Sequence, residues 1–181
     1  MSRDNDSITG TGRRQFLLAA AALAAGPAAA QVKSPMSDRV PIRYPQTEFV
    51  YEAIVDIDSG LDLGVGPLGR RGLVPITGGT FEGPGIKGTV MAGGADRQLV
   101  RADGYRQLDA LYELRTDDGA VITVRNQVLS PPDGGTTRFS VLQITAPEEK
   151  YGWLNRSLHV GTLDSLRPDR DAVLIRVFRL V

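Results

Sequence analysis

The stretch Leu108-Asp-Ala-Leu-Tyr-Glu-Leu-Arg-Thr-Asp-Asp-Gly-Ala-Val-Ile-Thr-Val124 predicts a β-hairpin more clearly than any other part of the chain. Tyr112 and Leu114 fall on one face of its first half and Glu113 on the other, which is typical of a half-buried strand. Asp118-Gly119 supplies a two-residue turn, and the apolar residues after it alternate in the same way. The stretch therefore predicts two antiparallel strands with one apolar face.

Further short strands are predicted on both sides of this hairpin, from alternating patterns or brief apolar runs. They cover residues 48–57, 73–81, 86–91, 99–101, 139–144 and 171–181, with a turn and a short strand within 150–160. Residues 60–72 hold five glycines before Leu73 and are predicted to be a loop. No amphipathic helix of about ten residues follows Ala30.

About eight to ten short strands with glycine turns predict an all-β domain, either a single antiparallel β-barrel or a sandwich. Glycines 78, 79, 83, 85, 88, 93 and 94 fall inside or beside predicted strands. Strand glycines mark bends and close backbone approach, which a strongly curved sheet requires. We therefore favour the barrel.

The first thirty residues have the order of an export signal. Arg13-Arg14 precedes the apolar run 16–26, and Ala28-Ala29-Ala30 follows it. The run is shorter than the roughly 20 residues that span a bilayer, which argues against a membrane anchor. Paired arginines indicate the twin-arginine translocation machinery as a partner and a periplasmic location after cleavage near Ala30. The predicted organisation is a signal peptide at 1–30, a linker at 31–47 and a barrel at 48–181.

Composition excludes several classes of chemistry. The 21 basic and 21 acidic residues balance, so nothing attracts the chain to nucleic acid or anionic lipid. There is no cysteine, which excludes disulfides, thiolate catalysis and cysteine-based zinc sites. The single histidine excludes zinc sites built from several histidines of one chain. We predict no metal site and no cofactor.

Two glycine motifs, at residues 64–69 and 83–88, have the spacing of a dinucleotide-binding loop. That loop works because a helix begins directly after it and meets the pyrophosphate. Strand-like sequence follows both motifs here, so neither predicts nucleotide binding.

Four segments in order resemble one known family. They are residues 69–84, Gly93-Gly94-Ala95-Asp96, residues 114–119 and Tyr151-Gly152-Trp153-Leu154-Asn155-Arg156. They look like the family catalogued as domain of unknown function 3237, and the resemblance covers residues 48–181. It implies a small calycin-like β-barrel without an established general activity or known catalytic residues. Arg97 and Leu111 depart from the family's usual aromatic and arginine, which implies a different ligand or a lost function if those positions contact one.

Three carboxylates are candidate catalytic residues. Asp96 ends a glycine run that can fix its angle in a barrel mouth, although it can equally cap a turn. Asp109 and Glu113 share a strand face about 13 Å apart, which is too far for a paired acid and base. If that face points inward, burial raises their pKa values toward the range useful for proton transfer. If it points outward, both are surface charges.

Six residues are candidate ligand contacts. Arg71 can clamp a carboxylate or form a surface ion pair. Thr77 and Glu82 flank Gly78-Gly79, where a ligand can approach the backbone or the strand can simply bend. On extended backbone Trp153 and Asn155 point the same way, which suits sugars or planar rings, although Trp153 can also plug the barrel. The sixth is Tyr112, which belongs to the apolar face and is also a core candidate.

The sequence therefore predicts an exported barrel that binds a small molecule at one mouth. One hypothesis is an acid–base enzyme, namely an isomerase, lyase or dehydratase, that acts on a small polar or aromatic compound. Asp96 or Asp109 would move the proton, and Arg71 or Asn155 would hold negative charge. The alternatives are a non-catalytic binding barrel and an oligomeric scaffold or accessory protein. A homo-oligomer is compatible with each of them.

Overall fold

A computed structural model describes residues 34–37, 39–134 and 138–181. The chain divides into two units, Met1–Arg43 and Tyr44–Val181, and every described strand lies in the second. The strands are β1 Thr47–Ile57, β2 Leu61–Gly66, β3 Gly69–Gly83, β4 Ile86–Val90, β5 Ala95–Val100, β6 Arg106–Thr116, β7 Val121–Ser130, β8 Arg138–Thr145, β9 His159–Ser165 and β10 Ala172–Leu180. The described helical segments are α1 Glu148–Tyr151 and a 3-10 turn at Gly152–Arg156.

The strands form a closed antiparallel barrel, which confirms the predicted fold class. The order β1-β10-β9-β8-β7-β6 continues through β4 to β3, and β3 pairs back onto β1. β4 and β5 occupy one strand position in succession, because each pairs with β3 on one side and with β6 on the other. Eight strand positions therefore surround the interior, and β2 pairs with β3.

The β6–β7 hairpin has the predicted alternation. Tyr112, Leu114, Ile122 and Val124 are each no more than 1% exposed and belong to the apolar core. The residues that alternate with them along the strands point outward, including Leu111, which is 46% exposed. The turn lies one residue earlier than the predicted Asp118-Gly119 pair. The backbone N–H of Gly119 donates to the Thr116 carbonyl at 2.9 Å, so Asp117 and Asp118 are its central residues.

One end of the barrel is covered by α1 and the 3-10 turn. Tyr151 and Leu154 are buried there, and Trp153 packs against the core. The Tyr151 hydroxyl donates to Asp118 in the β6–β7 turn at 3.0 Å, and Lys150 Nζ lies 2.7 Å from the same carboxylate. These contacts close the end of the barrel at which β6 finishes.

Two predicted segments differ from the structure. The predicted loop at 60–72 instead holds β2 and the start of β3, because Leu61, Leu63 and Val65 alternate as a strand does while glycines obscure the pattern. The strand predicted at 99–101 begins at Ala95 as β5. Its inner face carries Asp96 and Gln98, so the apolar alternation that reveals a strand is missing.

The predicted signal peptide at 1–30 and its cleavage site near Ala30 lie outside the described residues. In the part of the chain that the structure describes, no helix has the length and apolar character needed to cross a membrane.

Candidate functional site

A cavity of about 300 Å³ occupies the barrel interior at the end opposite α1. Its walls come from the first halves of β6 and β10 and from the last residues of β1, β7 and β9, so it lies at the mouth where β6 begins. The part of the wall formed by the buried residues Val55, Ile76 and Ile175 is apolar. This volume is at the small end of the range for ligand pockets.

Asp96 carries the carboxylate on the wall of this cavity. Its Oδ1 accepts the backbone N–H of Asp109 at 2.9 Å, and its Oδ2 accepts Gln98 Nε2 at 2.7 Å. Burial raises the pKa of Asp96, and the two hydrogen bonds only partly oppose that effect. Asp96 does not cap its own turn. Its carboxyl is a partly buried acid held in one orientation by a neighbouring strand.

Asn126 faces the same level of the cavity from the other side of β6. Asp96 pairs with Ala110 across β5–β6, and Ala110 pairs with Asn126 across β6–β7. Neighbouring strands lie about 4.8 Å apart, so the Asp96 and Asn126 Cα atoms are about 10 Å apart. Only the small side chain of Ala110 stands between them on this wall, which leaves room for a ligand to contact both.

Two buried polar groups on the cavity wall have no hydrogen-bond partner in the described chain. Asn126 is 2% exposed with Oδ1 unpartnered, and Tyr112 is fully buried with its hydroxyl unpartnered. Tyr51 lies close enough to Tyr112 to influence its ionisation, although the two hydroxyls do not meet hydrogen-bond geometry. Burial raises the pKa of Tyr112 well above its ordinary value, so its hydroxyl stays protonated. Unsatisfied buried polar groups are costly, so ones that face a cavity indicate a ligand or ordered water.

Arginines surround the cavity mouth. Arg106 begins β6 opposite Ser130 at the end of β7, and Arg138 Nε donates to the Ser130 hydroxyl at 3.1 Å. Arg167 also borders the cavity, and its Nε donates to Asp171 at 2.8 Å. The positive charge of Arg106 opposes the upward shift of the Asp96 pKa, so its field reaches the carboxyl below.

Asp109 and Glu113 do not join Asp96, because both lie on the outer face of β6. The Arg125 guanidinium contacts both Asp109 oxygens at 2.8 and 2.6 Å. These hydrogen bonds lower the pKa of Asp109, which is opposite to the direction expected for an inward carboxylate. Glu113 alternates with buried Tyr112 and Leu114 and points outward between them. The alternative in which the Asp109 and Glu113 side chains point into the barrel is therefore wrong.

Trp153 and Asn155 do not form a shared ligand platform. The prediction that they point the same way from extended backbone is wrong, because both lie in the 3-10 turn. Asn155 Oδ1 accepts the backbone N–H of Ala146 at 2.8 Å, and its Nδ2 donates to the Ala146 carbonyl at 2.9 Å. Trp153 packs on the core under the Arg179 guanidinium, which is 5.5 Å from the ring centroid.

The other predicted ligand contacts lie apart from the cavity, with the exception of Tyr112. Arg71 is exposed and donates to the Leu63 carbonyl at 3.0 Å, which braces the β2–β3 hairpin. Thr77 and Glu82 are exposed on β3 and do not border the cavity. Arg97 and Leu111, the two departures from the family pattern, are also exposed and outside it.

The sequence reasoning missed Asn126, Ser130, Arg106 and Arg138. A signal for two of them existed, since Asn126 and Ser130 interrupt the apolar inner face of β7 at positions where alternation requires an apolar residue. The two arginines lie at strand starts, where nothing in the pattern distinguishes them from ordinary surface charges.

A second concavity lies on the outer surface beside the β2–β3 hairpin. It is lined by exposed apolar side chains that include Leu129, Phe139 and Val141, together with Arg71 and Arg97. Apolar surface of this kind is typical of contacts with another protein. The oligomeric state stays a prediction.

These features define a class of protein. A closed barrel with a cavity of ligand size and a polar wall is compatible with a small-molecule-binding or enzymatic barrel. The sequence profile of the family described as "Protein of unknown function (DUF3237)" matches residues 45–136. The chain belongs to this family, as the sequence resemblance predicted.

Known relatives agree with this assignment. A UPF0311 protein from Clostridium acetobutylicum is 39% identical over 88 residues, which are 48% of this chain and 56% of that protein. A "hydroalkoxylation enzyme phnH" from Penicillium herquei is 34% identical over 96 residues, covering 53% of this chain and 59% of that protein. The chain thus spans little more than half the length of these relatives.

Solved structures extend the similarity over most of the barrel. A conserved protein of unknown function from Rhodopseudomonas palustris is 28% identical with a TM-score of 0.70. The match covers 77% of this chain and 100% of that one. The crystal structure of an enzyme from Penicillium herquei is 26% identical with a TM-score of 0.63, covering 78% of this chain and 100% of that one.

Proposed function

We propose that this barrel is an acid–base enzyme that adds a hydroxyl group of a small compound across a carbon–carbon double bond of the same molecule, or catalyses the reverse elimination. The observation that carries the proposal is Asp96, a carboxyl with a raised pKa on the wall of a ligand-sized cavity. Active sites are where burial shifts ionisable groups in this way. The similarity to a hydroalkoxylation enzyme supports the same class of reaction.

The proton balance is simple with a single carboxyl group. Protonated Asp96 donates its proton to one alkene carbon, and the substrate oxygen bonds to the other carbon while its O–H bond breaks. The released proton returns to the Asp96 carboxylate, so the enzyme is unchanged and the product is an isomer of the substrate. Each carboxyl oxygen accepts one hydrogen bond from the protein, which leaves lone pairs free for both transfers.

Asn126 and Tyr112 supply positioning groups for this chemistry. The amide of Asn126 can accept the hydrogen of the reacting hydroxyl or donate to its oxygen, and the protonated Tyr112 hydroxyl can donate to an oxygen deeper in the cavity. Holding the hydroxyl opposite Asp96 removes much of the entropic part of the barrier. The substrate is small, because the cavity is only about 300 Å³.

The test uses 4-hydroxy-3-(3-methylbut-2-enyl)benzoate, which contains a hydroxyl group, an alkene and a carboxylate in one small molecule. The reaction is run in deuterated water and analysed for a cyclic ether with one deuterium on the former alkene carbon. The expected result is turnover by the wild type that Asp96→Asn abolishes and Asp109→Asn retains. Absence of wild-type turnover, or equal turnover by Asp96→Asn, would contradict the proposal.

We also propose that the protein acts in the periplasm after twin-arginine export, on the strength of the sequence of its first thirty residues. The test is cell fractionation after replacement of Arg13 and Arg14 by lysine. The expected result is loss of the protein from the periplasmic fraction, and an unchanged distribution would refute this location.

A further inference from the structure

Among the described residues, arginine side chains are concentrated at the cavity mouth. Three arginines border the cavity, namely Arg106, Arg138 and Arg167, and its bordering carboxylates are Asp58 and Asp96. Asp171 pairs with Arg167, whereas Arg106 and Arg138 form no ion pair within the described residues. The two guanidinium groups without an ion pair among the described residues therefore belong to β6 and β8.

These two arginines stand on either side of one buried hydroxyl. Arg106 pairs with Ser130 across β6–β7, and Arg138 reaches the Ser130 hydroxyl from β8. Ser130 is only 4% exposed, so the hydrogen bond anchors Arg138 Nε, and the two terminal nitrogens of Arg138 have no partner among the described residues. Two guanidinium groups and a hydroxyl on three adjacent strands form a site for a planar anion such as a carboxylate.

Deeper in the cavity the unsatisfied groups require a different partner. Asn126 lies on the same face of β7 as Ser130 and four residues deeper, about 13 Å away along the strand. Its Oδ1 and the Tyr112 hydroxyl lack partners among the described residues, so a ligand that carries a hydroxyl group at that depth would satisfy them. The arrangement has an anion site at the mouth and a hydroxyl site at the level of Asp96.

We infer that the substrate is a small hydroxylated carboxylate, with its carboxylate between Arg106 and Arg138 and its hydroxyl at Asn126. This deepens the proposed function and shares its cavity, since it specifies the substrate class on which Asp96 acts. The substrate carboxylate lies at the mouth of the cavity, whereas the Asp96 carboxyl that moves the proton lies deeper.

The experiment measures binding by isothermal titration calorimetry with 4-hydroxycinnamate, and with its neutral amide 4-hydroxycinnamamide as the matched ligand. The wild type is expected to bind the carboxylate at least about tenfold more tightly than the amide. Arg106→Gln and Arg138→Gln are each expected to remove most of that difference. Arg115→Gln, an exposed arginine at the other end of β6, is the control and is expected to keep it.

Two further measurements keep the inference falsifiable. Added sodium chloride should weaken binding of the carboxylate by the wild type but not of the amide, and this needs no variant. Asp96→Asn should still bind the carboxylate, so a failure of the catalytic proposal leaves the binding result intact. Equal affinities for acid and amide, a preference that survives in both arginine variants, or no saturable binding of the carboxylate would overturn the inference.

Discussion

The Asp96 carboxyl and the Asn126 amide share one level of the barrel wall, separated by the single intervening residue Ala110. The first is a polar group whose burial raises its pKa, and the second is a buried group without a partner in the described chain. Neither contributes to the apolar core. Polar groups placed around one cavity can contact a substrate or ligand, as an enzyme or a binding protein requires. A barrel with a filled interior has no such requirement.

Asp96→Asn is expected to stabilise the folded protein near pH 7. Because burial raises the pKa of Asp96 above its ordinary value of 3.8, the folded state holds a proton that the unfolded state has already released. This group therefore costs stability as the pH rises from 3.8 through the raised pKa. Thermal unfolding should show a higher Tm for the variant near pH 7 and no such gain at about pH 4. A lower Tm near pH 7 would contradict this prediction.

Asp118→Asn is expected to have the opposite dependence on pH. Hydrogen bonds from Lys150, Thr116 and Tyr151 hold the pKa of Asp118 well below its ordinary value. The stability that they contribute is present above pH 3.8 and is lost as the pH falls below it. The variant should therefore have a lower denaturation midpoint than the wild type near pH 7, with the gap closing in acid. Asp117→Asn, its exposed neighbour paired with Lys87 at 3.3 Å, is the control.

Leu114→Ala and Leu111→Ala test which face of β6 is inside. Leu114 is fully buried, so its truncation should cost about 2 to 5 kcal/mol of unfolding free energy. Leu111 is 46% exposed on the opposite face, so Leu111→Ala should lower the unfolding free energy by less than about 1 kcal/mol. Urea denaturation measures both, and similar losses for the two variants would show that the register of this hairpin is wrong.

Gly79→Ala is expected to be severely destabilising. Gly79 has a φ of +135°, and a Cβ there would lie 2.0 Å from the Ile54 carbonyl oxygen of β1. Gly93 has a φ of +110° with open space around it, so Gly93→Ala meets only backbone strain, about 1 to 3 kcal/mol. Chemical denaturation should rank Gly79→Ala well below Gly93→Ala. The close approach of β1 to β3 therefore explains why residue 79 is a glycine, and this explanation needs no ligand.

The barrel is predictable from the sequence because its strands and turns are indicated by residues close together in the chain. Alternation in β6 and β7 and the turn signal Asp118-Gly119 need no information about distant residues. The predictions failed where a strand does not alternate apolar and polar residues. The prediction starts β5 too late because the inner face of that strand is polar at Asp96 and Gln98, and it contains no β2 because glycines interrupt that strand.

The site was harder to predict because it is assembled across strands. Asp96 could be proposed from its glycine-rich surroundings, but its partners come from β6, β7 and β8. Asp109 has the same charge and lies one strand away, and only the register decides that it points outward to Arg125. The prediction that Asn155 contacts a ligand depends on extended backbone, whereas the 3-10 turn directs its side chain to the backbone of Ala146.

The decisive experiment for the Asp96 site is a titration of the Asp96 carboxyl carbon by NMR, assigned by comparison with Asp96→Asn. We expect a pKa above 3.8 for Asp96 and a lower one for Asp109, with the Asp96 signal shifting when 4-hydroxycinnamate enters the cavity. A pKa for Asp96 at or below that of Asp109, with no response to the added compound, would contradict this expectation.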